Sequence, residues 1–190
     1  CALATDMRTK PAALTLVLRE ADYAPEPGVI QVLGKGSRRR FRRRPDVDVI
    51  RLTANTAADW AELARRRYDS WDLPGIAERA AELDWRRLQA ASIDDGGCVV
   101  YLAYERGQAV GCIEVFFHDG IARLDRLFVL GDRREAGIGA TLMAAAVADA
   151  RRAAETVCLV AASYDWPRYY YLRKGFVDLT EVVLWRKSLE

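Results

Sequence analysis

The residues whose types and spacing could do chemistry gather between Arg123 and Leu142, with Arg134, Gly137 and Gly139 at their centre. Leu124, Leu127, Phe128 and Val129 form a short apolar strand pattern carrying the charged step Asp125–Arg126. The pattern breaks at Gly131–Asp132 and runs on into Ala140 to Val147, nearly all good helix formers. A strand, a glycine-containing turn and a helix start make an anion site. The first helical turn has backbone N–H groups without intrahelical partners, and it carries the positive end of the helix dipole. Gly137 and Gly139 remove the Cβ atoms that would hold a phosphate away from those groups, and Arg134 adds a formal charge. The expected ligand group is a pyrophosphate. No lysine follows either glycine, as a P-loop needs, and Leu142 occupies the third glycine position of a dinucleotide fingerprint.

What remains is R-x-x-G-x-G after a strand ending in Leu127-Phe128-Val129, and it resembles the acyl-coenzyme A loop of the GNAT N-acetyltransferase superfamily. The family's run V-x-P-x-x-R-G-x-G-I-G has the length of Val129-Leu130-Gly131-Asp132-Arg133-Arg134-Glu135-Ala136-Gly137-Ile138-Gly139. Gly131 replaces the usual proline, and Glu135 replaces the glycine after the arginine. A carboxylate beside a phosphate is unfavourable unless it points outward. A second run, Tyr170-Tyr171-Leu172-Arg173-Lys174-Gly175-Phe176, resembles the family's [FL]-Y-x-x-x-G-F, where a helix ends at the glycine and a strand begins at the aromatic. Arg173 and Lys174 suit the negative end of a helix, and Gly175 suits its left-handed C′ position.

The resemblance implies direct attack by an amine on acetyl-coenzyme A in a ternary complex, with no metal and no covalent enzyme intermediate. It implies that the strand Leu127, Phe128 and Val129 holds the cofactor, backbone groups of Leu127 and Val129 pairing with the pantetheine arm and thioester. N–H groups of Arg134, Glu135, Ala136, Gly137, Ile138, Gly139 and Ala140 would hold the pyrophosphate. Tyr171 would protonate the leaving sulfur; its alternative, shared with Tyr169 and Tyr170, is an aromatic helix face packed on the sheet. Asp125, where many relatives carry glutamate, is the candidate base, acting directly or through water. Strand alternation would put it on the face of Leu127 and Val129. Its structural alternative is an ion pair with Arg123 or Arg126, and Glu114 is the reserve base. Asp165 stands near a position where relatives often carry a cofactor-contacting asparagine.

Composition bounds the rest. At 190 residues with about half of them apolar, the chain has room for one sizeable core. No apolar run approaches a membrane span, and the first 13 residues lack the basic start and apolar stretch of a signal peptide. Cys98, Cys112 and Cys158 sit in apolar runs and no C-x-x-C pair exists, so buried thiols in a cytoplasmic, reducing setting are expected. The single histidine, His118, falls at a turn with Asp119 and Gly120, which leaves little for a histidine triad or metal site. Residues 1–44 carry ten Lys+Arg and four Asp+Glu, a balance of +6 against −4 for the remainder. Arg38-Arg39-Arg40-Phe41-Arg42-Arg43-Arg44 causes most of that asymmetry and is either a patch for nucleic acid, an acidic membrane surface or an acidic partner, or a solvated strand or linker.

In chain order, Leu14–Leu18 and Val29–Leu33 read as strands around the turn-rich Ala24–Gly28, either a docked hairpin or a remnant of an upstream domain. A strand over Val47–Leu52 leads to a capping box at Thr56–Asp59 and a helix with Trp60, Leu63, Ala64 and Tyr68 at helical spacing. A second helix with Ile76, Ala80, Leu83 and Leu88 follows Pro74-Gly75; in the family these two helices wall the acceptor site, and Trp71 and Trp85 read as core. Val99–Tyr104, Ala109–Phe117 and the strand from Ile121 form an antiparallel meander. Val157–Ala161 is a buried strand, Trp166–Lys174 a helix with Pro167 in its first turn, and Val177–Trp185 the closing strand or hairpin.

The expected fold is mixed α/β, with a GNAT-like, mostly antiparallel central sheet flanked by helices and an extra N-terminal strand-rich segment. Residues 1–45 are the arginine-rich extension and 46–190 the acetyltransferase domain. The expected function is transfer of an acetyl group to a primary amine on a small molecule, peptide or protein. Homodimers are common in the superfamily. The alternative is a non-catalytic acyl-coenzyme A-binding module, or a nucleic-acid-associated one using Arg38–Arg44.

Overall fold

The apolar runs fold largely as their spacing directs in the computed structural model, which describes residues 2–6, 12–34, 37, 41–69, 85 and 97–187. In order come β1 (Ala2–Asp6), α1 (Ala12–Glu20), β2 (Tyr23–Leu33), β3 (Asp48–Arg51), α2 (Ala57–Asp69), β4 (Cys98–Glu105), β5 (Gln108–His118), β6 (Ile121–Val129), α3 (Ile138–Ala153), β7 (Thr156–Ala162), α4 (Trp166–Arg173) and β8 (Phe176–Lys187). The expected helix over Ile76–Leu88, Trp71, Cys1 and Arg38–Arg40 lie outside the described residues. The chain divides into two compact units, Arg40–Val157 and Cys1–Arg39 with Cys158–Glu190.

In the unit 40–157, β6, β5, β4 and β3 lie side by side, every ladder antiparallel. This is the expected meander with β3 added at its edge. α2 buries Trp60, Leu63, Ala64 and Arg67, the spacing of one helix face, and Trp60 stacks at 5.4 Å on Trp85. α3 buries Ile138, Leu142, Met143, Ala146 and Ala150. Leu142 is wholly buried, a burial that stabilises by about 1.5–3 kcal/mol. Gly111 has a packing reason: a Cβ there would stand 2.7 Å from the Phe128 carbonyl oxygen. The expected Thr56–Asp59 capping box is replaced by a tighter entry. A 3-10 turn at Ala54–Thr56 precedes α2, and the Thr56 hydroxyl accepts from the Thr53 N–H at 3.0 Å. Asp59 accepts instead from the Tyr104 hydroxyl at 2.6 Å. Burial first and then this carboxylate hold that phenol above its usual range.

The other unit corrects the sequence reading. Leu14–Leu18 is helical, not a strand: its alternating leucines mimic a strand period, but Ala and Leu are strong helix formers and only Leu18 is buried. The turn expected at Ala24–Gly28 is instead the first half of β2. There Pro27 contributes its carbonyl to the Ser163 N–H at 2.9 Å, and Gly28 gives way to Leu184, whose Cγ would lie 2.7 Å from an added Cβ. The strand order is β1-β8-β2-β7, all antiparallel. Exchanging β1-α1-β2 with β7-α4-β8 reproduces that order, because β2 and β8 pair centrally and β1 and β7 flank them. Both helices also end just before a left-handed residue, Asp22 at φ 63° and Gly175 at φ 95°. Gln31 is buried at the centre, its amide donating to Asp178 at 2.7 Å. In both units helices accompany antiparallel strands, the mixed α/β class expected.

Candidate functional site

The loop after β6 is built to leave backbone donors open. Leu130 N–H is tied to the Val110 carbonyl at 3.0 Å, a 3-10 turn follows at Gly131–Arg133, and Arg134 returns to extended backbone. Gly137 then adopts φ 82° as the N-cap of α3, with no side-chain cap. The first intrahelical bond runs from Thr141 N–H to the Gly137 carbonyl at 3.1 Å. The N–H groups of Ile138, Gly139 and Ala140 therefore have no acceptor within the helix. Ile138 is buried and anchors the turn, while Gly137, Ala136 and Glu135 are exposed. Open donors at the positive end of a 16-residue helix fit a diphosphate.

The two glycines serve different ends. At Gly137 the left-handed backbone disfavours any side chain, and an added Cβ would meet the stem of Arg44 at 3.4–3.5 Å. At Gly139 an added Cβ would only touch Val129 and Leu127, at 3.8 and 3.9 Å, so this glycine opens the side facing β6. Glu135 is also left-handed, at φ 61°, which explains why a glycine suits that place in the motif. Its side chain is exposed. Arg134 folds back, its Nε donating to the Val129 carbonyl at 3.3 Å.

A further arginine, Arg44, meets the loop from outside it, and motif spacing did not point to it. Its guanidinium contacts Asp46, pairs with Glu105 at 3.0 Å and donates to the Ala136 carbonyl at 2.9 Å. Hydrogen bonding to Asp46 holds the Arg44 pKa above its usual value, and the same bond holds the Asp46 carboxyl below its own. The sequence signal was faint: an Arg–Asp pair two residues apart, flanking Pro45, at the end of a run of like charges.

β6 carries a bulge that changes the expected faces. The register runs Gly111↔Val129 and Cys112↔Phe128, then slips so that Glu114 stands opposite Asp125. Arg126 takes the left-handed conformation at φ 48° within it. Directly opposed residues of an antiparallel ladder share a face. Asp125 therefore lies with Glu114, Cys112 and Phe128, not with Leu127 and Val129 as strict alternation implies; the extra residue inverts the count. That face is also where Arg67 of α2 approaches the Phe128 ring, at 5.9 Å. The bulge brings both candidate bases together, Glu114 buried and Asp125 half-exposed. Asp125 accepts from the Arg126 backbone N–H at 2.8 Å and pairs with Arg123 at 3.3 Å, the latter the ion pair of its structural alternative.

Tyr171 and Asp165 belong to the other unit. Tyr171 is half-buried on α4, its ring 5.8 Å from Phe176 and 5.3 Å from Tyr170. Tyr170 is the packing tyrosine: it lies edge-on to Trp166 and Lys174 sits over it, and burial raises its pKa. Tyr169 is half-exposed. Asp165 caps α4, its carboxylate accepting from the Trp166 N–H at 2.7 Å. His118 is exposed and pairs with Asp119 at 3.3 Å. Cys98 and Cys112 are buried and Cys158 half-buried, and none of the three is in a disulfide. Among the described residues no cluster of His, Cys, Asp and Glu could hold a metal, and no helix is long and apolar enough to cross a membrane.

An uncapped helix start with a glycine loop, on a mixed α/β fold, leaves backbone donors open where an anionic group could be held. Comparison makes this specific: residues 96–178 match the acetyltransferase (GNAT) domain family. No curated protein matches the chain. Among solved structures, a conserved protein of unknown function from Staphylococcus epidermidis ATCC 12228 is similar at a TM-score of 0.68 and 21% identity, over 97% of this chain and 71% of that one. A GCN5-related N-acetyltransferase from Kribbella flavida is similar at 0.60 and 16%, over 97% of this chain and 66% of that one, just under two thirds of its length. The PaiA N-acetyltransferase from Thermoplasma acidophilum, in complex with coenzyme A, is similar at 0.56 and 16%, over 75% of this chain and 99% of that one. These likenesses show the fold.

Proposed function

We propose that the protein is an N-acetyltransferase that moves the acetyl group of acetyl-coenzyme A to a primary amine. The observation that carries this is the open start of α3, with Gly137 at φ 82° and no side chain capping the first turn. Bound there, the thioester supplies an activated acetyl group.

The chain's residues would divide the work as follows. First-turn N–H groups of α3 neutralise diphosphate charge, and the loop from Arg134 to Ala140 shapes the cradle. Leu127, Phe128 and Val129 give the strand for the pantetheine arm. A carboxylate of the opposed pair Asp125 and Glu114 takes the amine proton as the C–N bond forms, directly or through water. Tyr171 hands its phenolic proton to sulfur as the C–S bond breaks. Asp165 is read as a helix cap first and a cofactor contact second. Acceptors of the amine class include small molecules, peptides and proteins.

The arginine run favours the enzyme over a nucleic-acid module, because Phe41 is buried and Arg44 is engaged with carboxylates. Thermal unfolding with and without saturating acetyl-coenzyme A tests the cofactor. Ligand at about 100 times its dissociation constant adds about 2.7 kcal/mol, and each kcal/mol moves Tm by about 2–4 °C at this size. A shift followed by thiol release with an amine panel supports the transferase. A shift without turnover on any amine points to a binding module, and no shift overturns the cofactor assignment.

A further inference from the structure

The arginine run ends against the anion loop. Arg44 meets the loop and the first turn of α3 at three residues, Ala136, Gly137 and Thr141. Its Nη1 donates to the Ala136 carbonyl at 2.9 Å. Its stem lies beside Gly137, where an added Cβ would stand in van der Waals contact with it at 3.4–3.5 Å. Its own backbone N–H donates at 3.0 Å to the Thr141 hydroxyl, which in turn donates to the Gly137 carbonyl at 3.1 Å. The remaining guanidinium donors are spent on carboxylates: Nε on Asp46 at 3.0 Å, and Nη2 on Asp46 and on Glu105 at 3.0 Å. Glu105 is balanced in turn by Arg133 at 3.2 Å.

A trans peptide points its C=O and N–H in opposite directions. Fixing the Ala136 carbonyl on Arg44 therefore aims the Gly137 N–H to the other side. It also keeps a carbonyl dipole from turning toward an incoming anion. We propose that Arg44 is a positioning residue for the diphosphate cradle, holding the Ala136–Gly137 peptide with its carbonyl away from the ligand and its N–H toward it. This role rests on the acyl-coenzyme A assignment above. With its donors largely committed, Arg44 acts as a strut and not as a phosphate ligand.

The test is calorimetric titration of the full chain, at one fixed salt concentration, with acetyl-coenzyme A and with S-acetylpantetheine, which lacks the diphosphate. Arg44→Met should weaken acetyl-coenzyme A by about tenfold, the scale of one charge-assisted hydrogen bond. It should leave S-acetylpantetheine within about twofold, since uninvolved positions are near neutral. Steady-state rates should show a raised KM for acetyl-coenzyme A with kcat unchanged at saturation. Arg44→Lys restores the charge without the planar fork and should recover only part of the loss. It is read in the same way if Arg44→Met does not fold. Wild-type binding that neither variant weakens, or equal losses for both donors, overturns the role of Arg44 alone. Wild type that binds S-acetylpantetheine but gains nothing from the diphosphate overturns the cradle itself, and Arg44's role with it.

Discussion

Two helices of this protein begin in opposite ways. α3 opens on Gly137, left-handed and without a side chain to offer its first turn. α4 opens on Asp165, extended, whose carboxylate takes the Trp166 N–H at 2.7 Å, and Pro167 then removes a further donor. One start leaves its donors without a side-chain cap; the other satisfies or deletes them internally. The difference teaches where each helix carries its chemistry. Under the proposed function, α3 would act through its backbone terminus and α4 through its side chains, Tyr171 foremost.

That contrast can be broken in order of expected effect. Tyr171→Phe should lower kcat by about 10²–10⁴, the usual worth of a positioned acid, while acetyl-coenzyme A still raises Tm; unaltered turnover would remove Tyr171 as the proton donor. Gly137→Val should cost about 1–2 kcal/mol for a left-handed side chain and set a branched side chain against the stem of Arg44. The ligand-induced Tm shift should then vanish, and a retained shift would mean that the cradle lies elsewhere. Asp165→Ala should cost about 1 kcal/mol as a lost cap, seen in Tm, with the acetyl-coenzyme A shift unchanged. A smaller shift would make Asp165 a cofactor contact after all.

Glu135→Gly runs the other way. It relieves a left-handed side chain and removes a carboxylate near the anion, so stability should rise by up to about 1 kcal/mol and titration should show tighter binding. The smallest effect concerns how α4 is held. Hydrogen bonding to Arg168, at 2.5 Å, and then to Gln31 holds the Asp178 carboxyl below its usual range. A lowered folded pKa stabilises above the unfolded value, near 3.9, and that contribution disappears as pH falls from there through the folded value. Tm of Asp178→Asn should therefore fall less than wild type between about pH 5 and pH 2, and parallel curves would show that the pair carries no net weight.

Much of this was legible in the residues. The meander from Val99 to Val129, the Gly137–Gly139 turn and the helix ending at Gly175 follow from apolar runs, from glycine's conformational freedom and from basic residues at a helix end. These are local properties, and a chain of letters reports local properties well. Leu14–Leu18 misled because its alternation matched a strand while its composition favoured a helix. Ala24–Gly28 misled because prolines that usually end strands can sit where no ladder donor is needed.

Sequence alone determined the presence and order of the strand, the loop and the glycine-led helix start, because backbone donors at a glycine start are a consequence of local geometry. Only the tertiary structure decided which side chains share a face or reach across. One extra residue in β6 put Asp125 opposite Glu114, and a ladder's register is settled between strands, not along one. Arg44 met Ala136, 92 residues away, because folding brought a linker arginine against the loop.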